Sequence, residues 1–430
     1  HFGINHFMLI WLYRILTIAL TPVFFLRLLI LSRHEPGYCH YLSERLGWLS
    51  TFPPKRPSIW LHAVSVGEIN SALSLLRSLQ HRYPNHNIVV TTTTPTGRAT
   101  IKRANIDSIY CFYLPYDLRS AIMRFIRMIK PDLAIFIEAE IWPVLLMTLN
   151  QNKIPCLLVN ARLSMRSLQR FKQFRKSAQM ILTTFDHISA QSTLDRSRFI
   201  ELGVPPARVS VSPNLKYHLV VPETLPEQVV TLERLHGRRP IWIAASTHPG
   251  EDEIMLSAQR QLIKTLPKTL LILAPRHPKR CHDLEQLCQN AQLTHCRMSA
   301  VNASLNANVV ILDSLGIMMA LYRICDIACV CGSFVDQIGG HNLLEPSALA
   351  KPIITGPHCF NCEDGVELLR SHNALIQIDG TKLSQTLIDL FQSQRQRNAL
   401  AMAAQHVYHQ NQGGLQAVMT LVRTILDSLV

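Results

Sequence analysis

The apolar positions of this chain form one long run, then many short runs separated by stretches of helical spacing. Residues 7–31 are apolar apart from Arg14, Thr17, Thr21, Pro22 and Arg27. A helix of about 20 apolar residues crosses a hydrocarbon core of about 30 Å, so 1–33 reads as a membrane anchor that either spans or lies in the interface. The run is too long for a cleaved leader and lacks its small-residue exit. Basic residues such as Arg33 and Arg45 follow, which puts the rest of the chain on the cytoplasmic side. A buried helix of the first domain is the alternative.

From residue 58 onward, strand-like runs alternate with helical periodicity. Runs at 58–63, 88–94, 108–114, 133–137, 154–159, 187–190 and 209–211 predict strands. Between them, 69–79, 96–104, 118–129 and 164–182 carry apolar residues at helical spacing. The stretch 213–228, polar and broken by Pro213, Pro222 and Pro226, reads as a linker. A second series predicts strands at 241–245, 270–274, 309–312, 327–330 and 352–355, then helices from 383 to 430 with a gap at 411–414. The β-α-β rhythm implies open parallel sheets, two domains (34–212 and 229–405) and a C-terminal helix, 406–430, able to cross back onto the first. Ligands in such sheets bind beyond the carboxyl ends of the strands.

The formal charge of +14 suits anionic partners, a membrane surface or a phosphorylated substrate among them. No arginine-rich arm, zinc-finger spacing or RNP-like motif points to nucleic acid. The 11 cysteines are scattered in apolar segments, as expected of reduced thiols. Cys359 and Cys362 form a C-x-x-C that fits packing better than zinc, and no metal site is expected.

Candidate chemistry lies at the predicted strand ends. In G-G-H-N-L-L-E-P, 339–346, two glycines precede a helix expected at 343–350, where free N–H groups and the helix dipole favour a phosphate. Glu345 is placed to accept from a ribose; an ordinary turn capped by Asn342 is the alternative. In H-A-V-S-V-G-E, 62–68, Ser65 and Gly67 make a turn and Glu68 opens a helix. The spacing reads first as a capping box with Ser65 and second as a general base. Glu138 and Glu140 form an acid pair in E-A-E-I-W-P, followed by Asn160-Ala161-Arg162. Lys216 sits in N-L-K at the start of the linker. In the second series, Arg276 follows a strand in A-P-R-H-P and supplies a fork for a phosphate. No G-x-G-x-x-G or Walker motif is present. The helical stretch 164–182 carries Arg166, Arg170, Lys172, Arg175 and Lys176, a basic face suited to anionic headgroups.

Taken together, H-A-V-S-V-G-E, E-A-E-I-W-P, N-L-K, A-S-T-H-P-G-E, A-P-R-H-P, G-G-H-N-L-L-E-P and G-P-H resemble the 3-deoxy-D-manno-octulosonic acid (Kdo) transferases. The resemblance implies a GT-B fold, two Rossmann-like domains facing across a cleft, with a membrane-anchor helix at the bacterial inner membrane. It implies CMP-Kdo as donor, a lipid A precursor as acceptor, an inverting displacement and no cofactor or metal. By motif position Glu68 is the base, and Pro275, Arg276, Leu315, Gly316, Ile317, Asn342, Leu343, Leu344 and Glu345 hold CMP. Ser65, Gly67, Glu138, Glu140 and Lys216 orient substrate. Ile317 stands where the family often has an acid. Rival readings are another GT-B enzyme, such as a nucleotide-sugar 2-epimerase, and a non-catalytic lipid or nucleotide binding protein.

Overall fold

In the computed structural model, which describes residues 6–33, 35–49, 52, 56–104, 106, 108–219, 224–236, 239–303 and 306–428, each strand expected between 58 and 355 is present, with its ends shifted by at most a few residues. The first sheet holds β1 (Ser58–His62), β2 (Asn87–Thr92), β3 (Ile109–Tyr113), β4 (Pro131–Ile137), β5 (Cys156–Ala161), β6 (His187–Ala190) and β7 (Val209–Val211). Its order is β3-β2-β1-β4-β5-β6-β7. The second holds β8 (Ile241–Thr247), β9 (Leu270–Pro275), β10 (His295–Arg297), β11 (Val309–Ile311), β12 (Ile327–Val330), β13 (Ile353–Thr355) and β14 (Ile376–Gln377). Its order is β10-β11-β9-β8-β12-β13-β14, and all pairings in both sheets are parallel.

Parallel sheets need helices on both faces, so their strands are apolar throughout rather than alternating. β1 shows this: Trp60 enters the core on one face, and Ile59 and Leu61 enter the core on the other. In β8, Trp242 and Ala244 face one core while Ile241 and Ile243 face the second. Both tryptophans satisfy the indole N–H internally, Trp60 on Thr91 Oγ1 at 2.9 Å and Trp242 on Gln259 Oε1 at 2.7 Å.

The chain divides into two compact units, one of His1–His218 with Gln412–Val430, the other of Leu219–Asn411. The division falls inside the expected linker, of which residues 220–223, Pro222 included, lie outside the described residues. Three local features differ from the sequence reading. The helix expected over 164–182 is two helices, Met165–Gln173 and Arg175–Leu182, broken at Phe174. The C-terminal helical region is three helices, Leu383–Gln392, Gln394–Gln410 and Gly414–Asp427. The helix expected at 343–350 is a single turn, Leu344–Ala348.

Ahead of the first sheet runs a 27-residue helix, His6–Ser32. Residues 1–5 of the expected anchor lie outside the described residues. Among the described residues it is the helix long and apolar enough to cross a membrane.

Candidate active site

In each sheet the strand order reverses beside one strand, between β1 and β4 in the first and between β8 and β12 in the second. Loops part at such a switch point and leave room for a ligand. Ser65, Gly67, Glu68, Glu138 and Glu140 follow β1 and β4, and Asn342 to Glu345 follow β12, whereas Arg276 and Gly316 follow β9 and β11.

In the first unit, Ser65 caps the helix Val66–Arg82, and its hydroxyl accepts from the Glu68 N–H at 3.3 Å. Glu68 reaches back as in a capping box, but to the residue before the cap. It accepts from the Val64 N–H at 2.7 Å and from the Ser65 hydroxyl at 2.9 Å. Each carboxylate oxygen keeps a further lone pair, so the geometry serves as a cap and leaves a proton acceptor available. Gly67 lies exposed in the same turn. Glu138 follows β4 with φ +64°. Burial pushes its carboxyl up, Lys216 opposes this, and Glu68, Arg162 and Glu140 contribute less. That coupling puts all five groups in one electrostatic neighbourhood.

Two supports behind this cluster were not legible in the sequence. His62 is fully buried, with Nε2 3.4 Å from Glu140 Oε2. Thr91 Oγ1 accepts from Trp60 Nε1 and lies 2.9 Å from His62 Nδ1. The Thr91 carbonyl, which can only accept, lies 3.1 Å from the same nitrogen, which favours the imidazole proton on Nδ1. Trp142 Nε1 donates to the same Glu140 oxygen at 2.7 Å. Asn160, expected as part of a third polar site, is buried and holds the N-L-K turn instead. Its Oδ1 accepts from the Leu215 N–H at 3.2 Å, and Lys216 is exposed on that turn.

In the second unit the loops after β8 and β12 are joined by Glu251, which is fully buried. One carboxylate oxygen accepts from the N–H groups of His248 (3.0 Å) and Gly332 (2.8 Å), the other from those of Ser333 (3.0 Å) and Phe334 (2.9 Å). Burial raises its carboxyl and the four N–H groups pull it back. Above this tie His248 and His341 stack, with ring centroids 5.1 Å apart and Nε2 atoms 2.8 Å apart. One proton must lie between them. Burial holds both imidazoles below their usual range; for His341, nearby His248, Arg276 and His277 add to it, down to about 4.

Pro275 ends β9, buried, and Arg276 follows it, exposed. The Arg276 N–H donates to the Thr247 carbonyl at 3.0 Å. Its guanidinium has no acceptor among the described residues. Arg280 is spent differently, on Asp252 and the Thr247 carbonyl. Gly316 turns the chain with φ +92° between exposed Leu315 and half-buried Ile317.

The glycine stretch departs from expectation. The Gly340 N–H is not free: it donates to the Gly332 carbonyl at 2.6 Å. Gly339 and Gly340 have φ of +84° and +87°, and a Cβ would meet the Phe360 ring at 2.5 Å or Cys362 Sγ at 2.4 Å. These glycines therefore admit the packed C-x-x-C segment as well as the turn. Among the described residues no group of three metal-ligating side chains forms there or elsewhere. Leu343, expected to contact nucleotide, buries its side chain in the core beside Val330 and Ile353, leaving only its backbone for a ligand. Asn342 is exposed. Its Oδ1 accepts from the Leu344 N–H at 3.0 Å, and its amide reaches Glu345 Oε1 at 3.4 Å.

The fold and the sequence both have known counterparts. The glycosyltransferase of Rickettsia africae aligns with 86% of this chain and 99% of its own at 14% identity, TM-score 0.54. UDP-GlcNAc 2-epimerase of Neisseria meningitidis aligns with 86% and 100% at 13% identity, TM-score 0.55. At that identity they establish the GT-B-like fold alone. Residues 40–219 match the family described as 3-Deoxy-D-manno-octulosonic-acid transferase (kdotransferase). The 3-deoxy-D-manno-octulosonic acid transferase of Bordetella pertussis is 31% identical over 362 residues, 82% of this chain and 83% of its own. That of Haemophilus influenzae is 38% identical over 404 residues, 93% of this chain and 94% of its own. With near-complete mutual coverage at that identity, the chain belongs to the 3-deoxy-D-manno-octulosonic acid transferases, a family of glycosyltransferases.

Proposed function

We propose that this transferase moves Kdo from CMP-Kdo to a lipid A precursor, at the cytoplasmic face of a bacterial inner membrane, with Glu68 as general base. The observation that carries the reading is the grouping of Glu68, Glu138, Glu140 and Lys216 at the switch point of the first sheet. The acceptor hydroxyl oxygen attacks the anomeric carbon of Kdo. The bond from that carbon to the CMP phosphate oxygen breaks, its electron pair leaves with CMP, and the hydroxyl proton passes to Glu68. A single displacement of this kind inverts the anomeric configuration.

CMP departs as a phosphate monoester. Arg276, whose guanidinium has no acceptor among the described residues, neutralises its charge. Pro275, Leu315, Gly316, Ile317 and the backbone of Asn342, Leu343 and Leu344 line the nucleotide, and Glu345 accepts from the ribose. Ser65 and Gly67 shape the turn carrying Glu68. Lys216 meets an anionic group of the substrates. The helix His6–Ser32 keeps the enzyme on the membrane where a lipid acceptor resides.

The test is incubation with CMP-Kdo and a tetraacylated lipid A precursor, followed by mass spectrometry. Product heavier by one or more Kdo residues, with CMP released in equal amount, is the expected result. An unchanged acceptor would overturn the assignment of substrates.

A further inference from the structure

The helix His6–Ser32 is fastened to the first unit at points near both of its ends. Near its start Tyr13 donates to Asp117 at 2.9 Å. Asp117 is itself buried and accepts from the N–H groups of Val144 (3.0 Å) and Leu145 (2.7 Å), the first turn of the helix Pro143–Gln151. Further along, Phe24 and Phe25 pack on the Tyr116 ring, with centroids 5.6 and 5.4 Å away. Ile10 and Leu28 are buried, and the helix Arg175–Leu182 packs against the same long helix. The covered positions 10, 14, 17, 21, 24, 28 and 31 recur at intervals of three and four, flanked by 13, 20, 25 and 32, which is one broad face of a helix.

The length of that face decides the geometry. From Ile10 to Leu28 is about 27 Å at 1.5 Å per residue, nearly the ~30 Å of a hydrocarbon core. A helix crossing the bilayer along this axis would take its partners with it. Asp117 and the end of the helix it caps would enter hydrocarbon, along with exposed Arg175 and Lys176 at the head of the neighbouring helix. Each such basic residue at mid-bilayer costs about 2.5–3.5 kcal/mol. The opposite face is open among the described residues: Trp11, Leu12, Ile15, Ile18, Leu26 and Leu29 are each 54–64% exposed.

We propose that this helix lies in the plane of the membrane interface instead of crossing it. Its open face enters the acyl region, and its fastened face carries the first unit on the cytoplasmic surface. Exposed Phe174 and the basic side chains Arg166, Arg170, Arg175 and Lys176 beside it meet anionic headgroups. Lys172, paired with Glu201 at 2.5 Å, is excluded from that role. The inference rests on the membrane association proposed above and adds the orientation.

The experiment places an epitope ahead of residue 1 of the full chain and uses inverted inner-membrane vesicles, cytoplasmic face outward. Vesicle-bound protein whose epitope is cleaved by added protease without detergent is the expected result. In parallel, the part of the tryptophan quenching that is lost in Trp11→Phe should be greater with lipids brominated near the headgroup than with lipids brominated near the chain end. Bound protein whose epitope is protected until detergent is added would overturn the in-plane orientation and leave membrane association standing. Protein that fails to sediment with the vesicles would overturn both.

Discussion

Replacing Glu251 by glutamine tests whether the two switch-point loops of the second unit depend on one carboxylate. The substitution keeps size and shape. It removes a charge whose burial is costly, and by itself that favours the variant. Glutamine, however, offers one acceptor oxygen where glutamate offers two. Two of the four N–H groups, either those of His248 and Gly332 or those of Ser333 and Phe334, would then face an NH2. Protonating Glu251 does not have this effect, since both oxygens of a carboxylic acid retain lone pairs. A buried N–H left unsatisfied costs about 1–3 kcal/mol, so two cost about 2–6 kcal/mol. Relief of burial returns part of that, and a net loss of about 2–4 kcal/mol is expected. For a unit of this size that lowers Tm by on the order of 10 °C. Urea unfolding followed by the tryptophan fluorescence that Trp242→Phe removes, with calorimetry of CMP binding, measures the loss and its effect on the site. A variant within about 0.5 kcal/mol of the parent, surface-substitution noise, would show that Glu251 does not hold these loops.

Glu68→Ala should lower transfer by about 10²–10⁴-fold, the range of a lost general base, with CMP affinity unchanged by calorimetry; near-normal turnover would remove Glu68 from the mechanism. Arg276→Ala should weaken CMP binding by about 10–100-fold, the loss of a charge-assisted hydrogen bond, and unchanged affinity would place the phosphate elsewhere. The folded imidazole of His341 titrates near 4, below its ordinary 6.5. Above pH 6.5 it is neutral in both states and contributes nothing. As pH falls through 6.5 toward 4 the unfolded chain takes up the proton first, so stability is lost in that window. The ring is partly in solvent, which moderates the size. Unfolding curves of the parent and His341→Gln should therefore diverge between pH 6.5 and 4, and parallel curves would refute the assignment.

The sheets were legible because strands covered on both faces are apolar throughout, and β1, β4 and β12 stand out from their flanks. β10 (His-Cys-Arg) and β14 (Ile-Gln) were not, being two or three residues long without an apolar run. The break at Phe174 was hidden because apolar spacing continues across it. At the candidate site, Glu68 and Ser65 were readable from a three-residue spacing. The His248–His341 pair spans 93 residues of sequence and Glu251 reaches 81–83 residues ahead to its donors. No local pattern reports such contacts, although both lie inside motifs the sequence displayed. The helix after Asn342 is shorter than expected because Leu343 drops into the core below the turn and the chain leaves the helix at Leu349, with Ala350 at φ +51°.

The helix Gly414–Asp427 carries Leu415, Val418, Val422 and Leu426 into the same core as Leu75, Leu133 and Ile135 of the first unit. That core is assembled from chain segments separated by the entire second unit. During synthesis the surface formed by the helix Val66–Arg82 and β4 therefore stays uncovered until the whole second unit has been made and the helix Gly414–Asp427 follows it. The newborn enzyme must pass through a stage in which its first unit has one wall open. A stop codon between Asn411, where the second unit ends, and Gly414 would strand it there, spare the second unit, and make the first a target for proteolysis.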